Sequence, residues 1–117
     1  MIIMKILNYV DVETKGAGED AKGITMRWLI SKETGANNFA MRFIEIEPDG
    51  FSPLHDHPWE HEIFVLEGEG LTIGGKDEKK IKEGDSIFIP PNETHQTKNI
   101  GTKTLKLLCM IPYEKTT

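Results

Sequence analysis

Glycine, proline and asparagine punctuate this 117-residue chain at short, fairly even intervals, and that spacing is the strongest constraint on its fold. Gly35-Ala36-Asn37-Asn38, Pro48-Asp49-Gly50, Gly68-Glu69-Gly70, Gly74-Gly75, Pro90-Pro91-Asn92 and Asn99-Ile100-Gly101 each mark a turn. Between the turns lie runs of 4–9 residues rich in Ile, Phe, Val, Leu and Thr. No window carries apolar residues at i, i+3, i+4 and i+7 for three turns, so helices are not expected. The spacing predicts strands over Ile2–Leu7, Ile24–Ser31, Phe39–Glu47, Leu54–His57, His61–Glu67, Leu71–Ile73, Asp85–Ile89, Thr94–Lys98 and Leu105–Ile111. Val12–Lys22 reads as a surface loop, and Gly74–Lys82 as a hairpin tip with a charged return strand. Many short strands at this spacing predict an all-β sandwich or barrel. With no repeat and no linker composition, residues 1–117 read as one domain.

Composition removes several function classes. The net charge is −5 and only Arg27 and Arg42 are arginines, which argues against nucleic acid as a partner. The longest apolar runs, around Ser86–Pro90 and Leu107–Ile111, fall far short of the roughly 18 residues that cross a bilayer. The first residues, Met1–Leu7, carry Lys5 inside their apolar run and lead to no small-residue cleavage site, so no secretory signal is expected. A single cysteine, Cys109, forms no intrachain disulfide and suits a reducing cytoplasm. The expectation is a small, acidic, cytoplasmic domain.

The histidines narrow the chemistry. There are four, and three of them fall within seven residues: His55-Asp56-His57-Pro58-Trp59-Glu60-His61. In extended backbone, residues i and i+2 share a face, so His55 and His57 aim together. Pro58 then turns the chain, and His61 opens the next strand on the matching face. His95 follows Pro90-Pro91-Asn92 at the head of another expected strand. Any one of these alone reads as an ordinary surface histidine. All four in this spacing read as donors converging on a first-row divalent metal, for which neutral imidazole is the commonest ligand.

These residues resemble the cupins. The first cupin motif is Gly, five residues, His-x-His, three or four residues, Glu, six residues, Gly. Here Asp49 takes the first Gly position, His55 and His57 form the pair, and His61 stands where Glu is usual, six residues before Gly68. The second motif is Gly, five residues, Pro-x-Gly, two residues, His, three residues, Asn. Gly84, Pro90, His95 and Asn99 match it, with Asn92 replacing the middle Gly. The motifs span residues 49–99. The resemblance implies an antiparallel jelly-roll β-barrel, a homodimer, and one divalent metal per chain on His55, His57, His61 and His95. It looks most like the small cupins with a four-histidine site, which implies Mn2+ first, with Fe2+, Ni2+, Cu2+ or Zn2+ as alternatives. Asp49 and Asn92 are mild departures, since Asp and Asn tolerate left-handed backbone. A competing register would make Glu62 the ligand, but only His61 keeps the distance to Gly68, and Glu62 would face the other side of its strand.

Four neutral imidazoles leave the charge of the ion uncompensated, which favours an anionic or chelating oxygen ligand at its open positions. The expected function is that of a metal-dependent oxidoreductase of dioxygenase type on a small chelating substrate. The alternatives are a non-catalytic small-molecule binding or sensing module and a metal-stabilised structural or storage domain. Phe39, Met41 and Phe43 alternate with Ala40 and Arg42 and are expected to fill core or, as the sharper reading, to wall the barrel interior. Trp59 is expected under the metal loop or at its entrance, and Asp56, Glu60 and Glu62 are expected to point outward. Cys109 reads as a small buried hydrophobe, or alternatively as a group beside the metal. No residue stands out as a general acid or base.

Overall fold

The structure, a computed structural model, describes residues 3–113. Nine strands make it up: β1 (Lys15–Gly16), β2 (Lys22–Ile30), β3 (Phe39–Phe51), β4 (His61–Glu67), β5 (Glu69–Gly74), β6 (Asp77–Lys82), β7 (Ser86–Ile89), β8 (His95–Asn99) and β9 (Leu105–Pro112). All pairings are antiparallel and belong to one sheet, in the order β6-β5-β8-β3-β9-β4-β7, with β2 on the free side of β3 and β1 on β2. The sheet curls into a jelly-roll barrel. Among the described residues the only helical elements are single 3-10 turns at Tyr9–Asp11 and Lys32–Thr34, and no helix is long and apolar enough to cross a membrane.

The curl depends on β3. Its first half runs between β2 and β9, while its last residue, Phe51, pairs with Lys98 of β8. Between these two neighbourhoods the pairing with β2 slips at Lys22/Ile24. Gly50 sits opposite that slip, where a Cβ would stand 2.7 Å from the Lys22 carbonyl oxygen, so only glycine fits. Asp49, just before it, adopts φ 68°. Asn92 has φ 65°, and these two are the only non-glycine residues with positive φ among those described. Both motif positions that lack their usual Gly therefore still take the left-handed backbone.

The expected elements are mostly present, with two corrections. Ile3–Leu7 forms no strand and lies exposed, because no sheet edge of this chain takes it up; Ile2 falls outside the described residues. Leu54–His57 is not a strand either, and its one ladder contact is a bridge from His55 to His95. Pro53 and Pro58 flank this segment and have no backbone N–H to give to a ladder. The expected loop Val12–Lys22 contains the short β1. The charged return strand before Lys82 is present as β6, paired along β5.

The interior is layered by strand register. At the floor, Ile46 of β3 faces Leu105 of β9. One layer up, Ile44 faces Leu107, which in turn faces Val65 of β4. Ile46, Val65 and Leu105 are wholly buried. In the next layer Arg42 faces Cys109, and Cys109 faces Ile63. The aliphatic floor thus gives way to a layer with a charge and a thiol, two residues below His61. Phe39, Met41 and Phe43 do not wall this interior; of the three, Phe43 is buried and fills core, Met41 is half-buried and Phe39 is exposed. They belong to the other face of β3, where the Tyr9 ring covers Phe43 at 4.8 Å between centroids.

Candidate metal centre

Three hydrogen-bonded anchors tie the His55–His57 segment to the sheet. Ser52 donates its N–H to Thr97 at 2.9 Å and accepts the Thr97 N–H on its hydroxyl at 2.9 Å. His55 and His95 exchange backbone hydrogen bonds of 3.1 and 2.8 Å. Asn92 donates its N–H to the His57 carbonyl, which its left-handed backbone makes possible. Asn99 secures the far end of β8: its side-chain amide donates to the carbonyls of Ile46 and Lys103, both at 2.8 Å, and its side-chain oxygen accepts from Gly101 N–H. The second motif therefore works as a frame for the first.

On that frame the imidazoles gather. One ring nitrogen from each of His55, His57 and His95 lies within 4.8 Å of the others. The His55 and His57 rings are 4.2 Å apart, and the His55 and His95 rings 4.7 Å. His61, buried at the head of β4, is not part of that trio, but its ring lies 5.1 Å from that of His57 and 5.0 Å from that of His95. Its Nδ1 is 3.6 Å from Cys109 Sγ, while its Nε2 is buried with no hydrogen-bond partner among the described residues. An orphaned, buried nitrogen beside three converging imidazoles fits a metal ion. His95 is prepared for that role: its Nδ1 meets the Glu93 carbonyl at 2.9 Å, so this nitrogen carries the proton and Nε2 keeps its lone pair.

All four rings line a cavity of about 310 Å³, walled by Ile24, Met26, Trp28, Ile44 and Ile63. Trp59 stacks flat on His57 at 4.6 Å, as a support for the metal loop. Asp56, Glu60 and Glu62 are exposed, and Glu62 faces away from the cavity. A larger cavity of about 570 Å³ opens between the edge strands β6 and β7, but it takes in only His95 of the four histidines. Sequence reasoning missed Arg42. It lines the histidine cavity, donates from Nη2 to Cys109 Sγ at 3.0 Å, and stands over the Trp28 ring at 5.3 Å. The signal was available in the sequence, since Arg42 shares strand parity with Ile44 and Ile46. Cys109 fits both of its sequence-based expectations, being buried in the core and also lining the cavity.

The electrostatics favour the neutral form of His55, His57 and His61. Burial, then the neighbouring histidines and Arg42, push His55 down from 6.5 to about 4. Burial and the Arg42 charge push His61 down to about 3, and His57 is lowered for similar reasons. Burial pushes the Cys109 thiol up, against the opposite pull of Arg42. Neutral imidazoles with free lone pairs are the form in which histidine binds a metal.

The fold and site define a cupin. A family model for the cupin domain matches residues 42–111, and the chain belongs to that family. It is 34% identical over 99 residues to the oxalate-binding protein of Thermotoga maritima, covering 82% of this chain and 78% of that one. Among solved structures, the polyketide cyclase RemF from Streptomyces resistomycificus superposes with a TM-score of 0.89 at 33% identity, covering 98% of this chain and 83% of that chain. An uncharacterised protein of Methanocaldococcus jannaschii is 44% identical over 57 residues, and the match spans 46% of its length.

The depressed histidines set a pH dependence for the metal-free protein. Between 6.5 and about 4 the unfolded chain binds protons that folded His55 refuses, so stability falls as pH falls through that window, and His61 extends it to about 3. Chemical denaturation from pH 7 to pH 4 is expected to show this decline, shallower in His61→Gln; equal slopes in the two proteins would show that His61 is not held neutral by burial.

Proposed function

We propose that the chain is a single cupin domain over residues 1–117 that holds one divalent metal on His55, His57, His61 and His95. The observation that carries this reading is the buried, unpartnered Nε2 of His61 beside the converging trio. A bound metal would supply Lewis acidity and open coordination positions for a small chelating ligand. Mn2+ ranks first on the resemblance to four-histidine cupins. Imidazole also suits Fe2+, Ni2+, Cu2+ and Zn2+, so cellular supply decides.

The chain's own part is to fix the donors and shape the ligand space. His95 holds its proton on Nδ1 against the Glu93 carbonyl. Trp59 keeps the His57 ring flat against it, and the Ile24, Met26, Trp28 wall excludes water around a bound organic molecule. The reaction we favour is oxidation of a small chelating acid or diketone by O2, of dioxygenase type. A second reading, ligand binding or turnover without O2, is favoured by the relatives, since neither an oxalate-binding protein nor a polyketide cyclase is named for oxygen consumption.

We also assign a homodimer and a cytoplasmic location. Phe39, Phe64 and Phe88 are exposed on the outer face of the sheet, and Ile3, Met4, Ile6 and Leu7 are exposed beside the barrel. Surfaces of this kind are the sort that a second copy covers. The free Cys109 suits a reducing compartment. Light scattering is expected to give about twice the 13.2 kDa chain mass, and Phe64→Ser combined with Phe88→Ser to lower it toward one chain; an unaltered monomer in the native protein contradicts the dimer.

Metal titration tests the ligand set. Native protein is expected to take up one equivalent, and His61→Ala to lose more affinity than the roughly 10–100-fold that removal of an outer-shell partner costs. Glu62→Gln is expected to be silent. The reverse outcome would replace His61 by Glu62. Oxygen uptake by the loaded protein over a panel of chelating acids and diketones separates the two reactions: uptake supports the first reading, and binding without uptake the second.

A further inference from the structure

Arg42 is a cation with no anionic partner among the described residues. It is one of only two arginines in the chain, and it stands in the Cys109 layer just below His61. No Asp or Glu lines its cavity, and the only ion pair among the described residues, Lys106–Glu67, lies elsewhere. Its hydrogen-bond partners are two sulfurs, Met26 Sδ at 3.6 Å from Nη1 and Cys109 Sγ at 3.0 Å from Nη2, both weak acceptors. Its Nε is buried with no hydrogen-bond partner among the described residues. A guanidinium has five donors in a planar fork that matches a carboxylate, and leaving it unmatched in an apolar cavity is costly.

The two sulfurs take up only part of that donor capacity, and weakly. Arg42 also stands over the Trp28 ring at 5.3 Å, a cation–π contact that needs no hydrogen bond. That contact and the two sulfurs hold the group beside the cavity, so less ordering is lost when an anion arrives. The cavity of about 310 Å³ has room for a small molecule only, and the same space contains the four imidazoles. A ligand occupying it is therefore within the field of two positive centres, the metal and Arg42, with no acidic side chain to offset either.

We propose that Arg42 is the anion anchor of this site, and that it selects small chelating carboxylates, which bridge the metal and the guanidinium. This rests on the metal site proposed above and adds to it the charge class of the ligand. A neutral molecule able to bind the metal gains nothing from Arg42, whereas a carboxylate gains charge-assisted hydrogen bonds. Arg42 of β3 thus adds to the preference of the ion for anionic oxygen donors a selection for the planar carboxylate.

The test uses metal-loaded protein with two probes, oxalate as a chelating dicarboxylate and imidazole as a neutral ligand. Arg42→Gln is expected to keep one metal per chain, to bind imidazole as the native protein does, and to weaken oxalate by about tenfold to a hundredfold. Arg42→Lys, which keeps the charge without the fork, is expected to fall between. Equal oxalate affinity in native and Arg42→Gln proteins, or native protein that binds imidazole but not oxalate, overturns the anchor while leaving the metal site standing. Native protein that takes up no metal overturns the site itself. Should Arg42→Gln fail to fold, butanedione modification of the native protein gives the answer, with Arg27 as the internal control. Oxalate is expected to protect Arg42 at least about tenfold, and equal labelling with and without oxalate refutes the assignment.

Discussion

The two backbone hydrogen bonds between His55 and His95 hold the first motif against the second, and the site depends on them. The segment from Ser52 to Glu60 has no ladder of its own, so this bridge, with the Ser52–Thr97 and Asn92–His57 anchors, is what keeps two of the four imidazoles off a free loop. The bridge in turn needs β8 to be rigid. Asn99 provides that by tying the end of β8 to Ile46 and to the Lys103 turn, and left-handed Asn92 closes the loop onto the His57 carbonyl. The proline-bounded segment is thereby tied to the sheet at three points.

The second dependence is electrostatic. The cavity gathers four imidazoles and a guanidinium with no carboxylate among them. Burial, the neighbouring histidines and Arg42 favour the neutral state of His55, His57 and His61, the state that presents lone pairs to a cation. The same lack of negative charge inside the barrel makes a bound anion the natural complement. Function at this site is thus set by what the interior omits as much as by what it contains.

Much of this was legible in the sequence because it is local. The spacing of His55, His57 and His61 within seven residues, and the motif around His95, need only strand parity and a turn to bring the rings together. Glycine and proline punctuation likewise located β2 through β9 to within a few residues. What failed required knowledge of neighbours. Alternation in β3 is satisfied by Phe39, Met41, Phe43 or by Arg42, Ile44, Ile46, and the choice is made by Tyr9, which covers Phe43 from outside. Ile3–Leu7 has strand composition, yet it finds no edge within its own chain to pair with. Leu54–His57 has strand spacing, but its flanking prolines limit it to one bridge.

The central claim is that four histidines share one ion, and anomalous diffraction at the metal edge from crystals grown with Mn2+ tests it most directly. The account predicts a single strong peak per chain, in contact with His55, His57, His61 and His95. A peak in contact with the trio but not His61, or one in contact with Glu62, would contradict the four-histidine site, and no peak in the cavity would contradict the metal centre altogether.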